Sequence, residues 1–157
     1  MGFEAIAEFT RVFARISLIL FAMAFVVEAL RDGKSRTRLL WASFLCAHII
    51  HLASLMLYYN ALGESPKLDP VLALLIVGVA ALGWMIFITL KTTAIKNRLY
   101  ITPAIGWYLW FLFTATHVSR LLDTERAGAI NWVLLTVMLL AGAVRILLFR
   151  KHTPHPD

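Results

Sequence analysis

The sequence predicts an all-α membrane protein: a bundle of five transmembrane helices, N-terminus outside and C-terminus cytoplasmic. Three observations predict it. Of the 157 residues, 61% are hydrophobic, against about 45–50% in a soluble domain. The excess falls into five runs, each close to the roughly 20 apolar residues that cross a bilayer. They are 11–30, 38–59, 70–90, 103–122 and 130–149. Charge also alternates between the connections. Arg31, Lys34, Arg36 and Arg38 oppose Asp32 in the first, Lys91, Lys96 and Arg98 crowd the third, and Arg150 and Lys151 open the tail. The second connection sets Lys67 against Glu64 and Asp69, and the fourth sets Arg126 against Asp123 and Glu125. Basic connections stay cytoplasmic, which fixes the orientation.

These runs leave no room for a soluble domain, so 1–157 reads as one transmembrane unit, and any nucleotide or flavin domain belongs to another chain. The net charge of +6 encodes orientation rather than nucleic-acid binding. The partner expected from composition is the lipid bilayer. A single cysteine, Cys46, excludes an internal disulfide and reads as a small core residue. Residues 1–10 lack a basic region and no small-residue cleavage site follows, so no removable signal peptide is expected.

The first run is the least regular. Its uninterrupted centre spans only 16–27, and Arg11 and Arg15 lie one turn apart near the outer end. They either snorkel to lipid headgroups or offer a cation to an anionic ligand. Glu28 is expected to pair with Arg31. The second run carries His48 and His51 at positions that should lie inside the bilayer, where an ionisable group costs a few kcal/mol and tends to be kept for a reason. The third run holds no titratable group, and Gly78 and Gly83 there suit close helix packing. Pro103 suits the first position of the fourth helix. That helix is dense in aromatics up to Phe113 and then carries His117 and Arg120. The fifth run is plain except for Arg145, expected to snorkel at the inner end. The tail histidines His152 and His155 sit in a Pro-rich, exposed setting and receive no role.

Helix rise, about 1.5 Å per residue, places the histidines in depth. His51 lies about 12 Å below the outer end of its helix, His48 about 16 Å and His117 about 8 Å. His51 and His117 are thus at similar depth on different helices. Two such imidazoles can hold a haem iron between them inside a bundle. The alternatives are neutral rings bonded to neighbouring helices, or a naked metal held by His48, His51 and His117.

These residues resemble the ferric-reductase-like transmembrane domain family, and most closely in style the haem-binding membrane subunit of the periplasmic methionine-sulfoxide reductase system. In that group a helix opens Arg-Leu-Leu-Gly after a basic loop and reaches a haem-ligating histidine thirteen residues after the arginine. Here Arg38-Leu39-Leu40-Trp41 reaches His51 at that spacing. A later helix carries Tyr-Leu ahead of a second ligand, as Tyr108-Leu109 precedes His117. Two positions depart from the pattern. Trp41 stands where the family has glycine, and Ala104 stands where two-haem relatives carry a further histidine. The resemblance therefore implies one haem b, held by His51 and His117. Its propionates would need cations near the outer surface, for which Arg120 and Arg15 are the candidates.

On that reading the protein is a b-type cytochrome of a bacterial inner membrane. It passes electrons near the outer leaflet, from a quinol to a periplasmic or other membrane redox partner. At most it is the electron-transfer subunit of an oxidoreductase, because the sequence holds no nucleotide motif, nucleophile triad or paired carboxylates. The rival classes are a non-redox membrane scaffold or transporter subunit, and a transition-metal-binding membrane protein.

Overall fold

A computed structural model describes residues 2–30, 34–63, 78–79, 81–84, 87, 98–122 and 128–152, with no side-chain detail at 34–35, 98–102 and 149–152. Four helices carry the fold: α1 (Phe3–Ala29), α2 (Lys34–Leu62), α3 (Arg98–Leu122) and α4 (Ala129–His152). Residues 78–79, 81–84 and 87 are also helical and fall inside the predicted third run; the rest of that run lies outside the described residues. No strand occurs among the described residues.

Three of these helices are long and apolar enough to cross a membrane. They are Phe3–Ala29, Arg36–Leu62 and Ala129–Leu148, with mean hydropathies of 2.1, 1.8 and 2.0. At about 1.5 Å per residue, the 27 residues of α1 reach about 40 Å, beyond the roughly 30 Å hydrocarbon core. Large apolar side chains cover the outside of the bundle, among them Leu39, Phe111, Trp132 and Leu147. So much exposed apolar surface suits lipid rather than water, and the protein is membrane-bound in character.

The helices overrun the predicted boundaries. α1 begins at Phe3, well ahead of Arg11, because 3–10 continue the same apolar stripe: Ala7, Thr10, Ser17, Leu18, Phe21 and Phe25 are all buried, at helical spacing. α2 encloses the predicted 38–59 and ends at Gly63, whose φ of 67° terminates it in the left-handed region that glycine adopts freely. α3 starts at Arg98, so Pro103 sits inside the helix rather than at its first position. Ser and Thr hydroxyls inside the helices bond back to their own backbone, as Thr10 does to Ile6 and Thr114 to Trp110. Each of these hydroxyls is thereby satisfied without water.

α1 is the central element: it packs along α2, lies against α4 and touches α3, while α3 also packs on α4. Its Phe21 is fully buried, and its ring meets Phe25, Trp41, Phe44 and Phe113, drawn from three helices. α2 and α3 have no Cα pair within 8 Å of each other among the described residues. Large side chains span the gap, Phe44 and His48 both reaching Phe113. α3 joins α4 at Gly142, where an added Cβ would stand 2.7 Å from the Trp110 ring. That ring is fixed by Nε1 donating to the Met138 carbonyl at 2.7 Å, so glycine is required there by close approach.

Three sequence expectations change. Cys46 is exposed on α2 rather than in the core. Arg145 is buried, at 6% exposure, and does not snorkel. It donates to the Glu28 carboxylate at 3.0 Å and to the Phe25 carbonyl, and its guanidinium stacks over the Phe25 ring at 4.1 Å. Glu28 thus pairs with Arg145; Arg31 lies outside the described residues. The reason is that α4 runs beside the C-terminal end of α1, where the half-buried Glu28 carboxylate is within hydrogen-bond reach.

Candidate functional site

The polar groups of the bundle gather where α1 meets α2. The small hydroxyl residues Thr10 and Ser17, two turns apart, mark the face of α1 that turns to α2. Opposite them stand His48 and His51, one turn apart on α2, with ring centroids 5.7 Å apart. His51 Nδ1 bonds the Thr10 carbonyl at 3.1 Å. A carbonyl only accepts, so Nδ1 carries the proton and Nε2 is left as the acceptor. His48 Nδ1 lies 3.3 Å from Ser17 Oγ. Ser17 Oγ also donates to the Ala14 carbonyl at 3.0 Å, and the Nδ1 edge of His48 faces α1. Ser54, the next polar residue along α2, is buried and donates to the His51 carbonyl.

His117 stands on α3 and is buried, at 5% exposure. The Asn131 side chain of α4 hydrogen-bonds its ring, and Nδ1 is buried with no partner. Arg120 is exposed on the same helix, and its charge acts on both His51 and His117. Both rings therefore lie near one cation, although each is held by a different neighbour. Arg15 is half-buried on α1. Arg11, a turn earlier, forms an exposed pair with Glu8 at 3.1 Å, worth little in solvent.

The donor set fits a haem in two respects. A ligating histidine has its other ring nitrogen fixed by a carbonyl or side chain, as the Thr10 carbonyl fixes His51. His117 offers a buried nitrogen that lacks a partner, a state that costs about 1–3 kcal/mol when left unmet. A naked metal fits less well. Among the described residues no group of three His, Cys, Asp or Glu side chains is gathered. The three-histidine arrangement is therefore not assembled among the described residues.

Sequence reasoning passed over Thr10, Ser17 and Asn131. The signal for the first two was present as two hydroxyls seven residues apart on an otherwise apolar helix. Asn131 carried none, because a lone amide near a helix start reads as a cap. No family model, curated protein or solved structure matches the chain.

Proposed function

We propose that the protein is a single-haem b-type membrane cytochrome, with five spans and its N-terminus outside. His51 and His117 would hold its iron, and Arg120, with Arg15, would pair with its propionates. The observation that carries the reading is the buried, unpartnered Nδ1 of His117. The α1 carbonyl holding His51 and the spacing of the ferric-reductase-like pattern support it. A haem bound there supplies one-electron transfer near the outer leaflet, with a potential set by axial ligands, hydrogen bonds and burial. The chain's part is to orient the two imidazoles, through Thr10 and Asn131, and to exclude water with the Phe21 cluster. Electrons from a quinol and a periplasmic or other membrane acceptor in a bacterial inner membrane complete the proposal.

The visible spectrum of the detergent-purified protein tests it. A Soret band with sharp α and β bands on reduction is expected; a colourless protein expressed with ample haem overturns it in favour of a scaffold. Orientation has its own check. Reporter fusions at Lys96 and at the C-terminus should both read cytoplasmic, as the basic connections require; opposite readings mean an even number of spans.

A further inference from the structure

A small cavity opens where α2, the helical residues 78, 79 and 82, and α3 come together. Its volume is about 40 Å³, and its walls include His48, Leu52, Gly78, Val79, Leu112 and Phe113. His48 is the one polar residue among them, and its Nδ1 edge is engaged by Ser17 of α1. The rings on this wall hold one another in place. Phe113 stands edge-on to His48, ring centroids 5.7 Å apart and planes at 72°, and Phe44 meets both. Across the space, Gly78 brings no side chain. A Cβ there would stand 3.3 Å from Leu112 Cδ2, so even alanine would press on the wall.

Size and polarity select the occupant. A water needs roughly 10–15 Å³ and two to four polar partners. The room is present, but an apolar wall with a single histidine does not supply the partners. An engineered apolar cavity of roughly 150 Å³ stays dry and takes benzene or xenon. At about a quarter of that volume, this one is too small for a ring and suits a molecule of about two or three heavy atoms. Its depth agrees. His48 is one residue from the middle of the Arg36–Leu62 span, and Val79, at 51% exposure, puts the rim on the surface that lipid covers. The cavity therefore meets the hydrocarbon phase, where apolar solutes collect.

We infer that this cavity takes up a single non-polar gas molecule from the bilayer, held beside His48 by dispersion contact with its apolar walls. The site rests on the cavity's size and lining, and does not depend on whether His51 and His117 hold a haem.

The test uses the full chain in lipid nanodiscs with isotope-labelled leucine methyls, and xenon as the probe. With rising xenon pressure the Leu52 and Leu112 methyl resonances should shift and then saturate. The methyls of Leu140, 60% exposed on the outside of the bundle, should drift in proportion to pressure, as simple partition into lipid requires. Leu52→Phe and Leu112→Phe fill the space from different helices, and each should weaken the saturable response at the remaining wall leucine about tenfold or more, because the occupant loses its contacts. A wall response that stays proportional to pressure overturns the proposal, and needs no variant to be seen. So does a saturable response that survives both fillers unchanged. Through-space contacts from lipid chain ends to Leu52 and Leu112 that xenon leaves untouched assign the space to an acyl chain and overturn it too.

Discussion

Replacing Arg145 with leucine is expected to destabilise the bundle by about 3 kcal/mol, as deletion of one member of a buried ion pair does. The guanidinium is almost fully buried, bonded to Glu28 and to the Phe25 carbonyl, and stacked on the Phe25 ring. Its loss strands a carboxylate that is only 19% exposed and leaves a gap between α1 and α4. The figure sits at the low end of the range because the Glu28 side chain keeps 19% of its surface exposed. Glu28→Gln should cost about half as much. The arginine cannot lose its proton, but it keeps the carbonyl, the ring face and a neutral amide oxygen. Replacing both residues with leucine should recover most of the loss, since an apolar pair of similar volume can match a buried ion pair. Denaturation in detergent of the wild type, Arg145→Leu, Glu28→Leu and the double leucine variant, read as a double-mutant cycle, measures this, with Glu28→Gln as a fifth protein. If the two single losses simply add in the double variant, the pair does not couple α1 to α4.

On the proposed haem reading, His117→Ala and His51→Ala should each abolish the pigment while the protein still inserts and purifies. Either change would remove a residue that would hold the haem, and His48 is engaged by Ser17 of α1. His48→Ala should accordingly keep the pigment. Arg120→Ala should keep it too, but with weaker haem retention or a shifted midpoint potential, because Arg120 lies near both rings and its fork suits a carboxylate. Arg120→Lys should restore part of the effect, since charge survives without the fork. The measurements are Soret absorbance per mole of protein and a redox titration. Pigment that survives His117→Ala removes that residue from the ligand set; an unchanged potential in Arg120→Ala makes the arginine a lipid anchor.

What could be read from the sequence follows from what a one-dimensional pattern can carry. Apolar runs about 20 residues long predict helices, and helices stand at four of the five runs, most of the third lying outside the described residues; α1 is extended at its start because Thr10 and Arg11 interrupt the hydropathy but not the buried stripe. Pro103 was misplaced because a proline at a helix start and one early inside a helix have the same local surroundings in sequence. His51 and His117 were picked out by their depth, a quantity that residue count alone supplies.

The sequence by itself determined the class of solvent, the helical class and the rarity of charge within the spans. Only the tertiary structure decided which helix lies beside which. In lipid, the side chains that face the acyl chains are as apolar as those that face the core, so hydropathy does not mark the inward face of a span. Cys46 and Arg145 were misjudged for that reason: one apolar helix face looks like another until a neighbour covers it. The neighbours are α1 at the centre, Ser17 and the Thr10 carbonyl holding His48 and His51, and Glu28 drawing Arg145 inward. They are fixed by packing of large rings around Phe21 and by the need of each buried polar group for a partner inside the bundle.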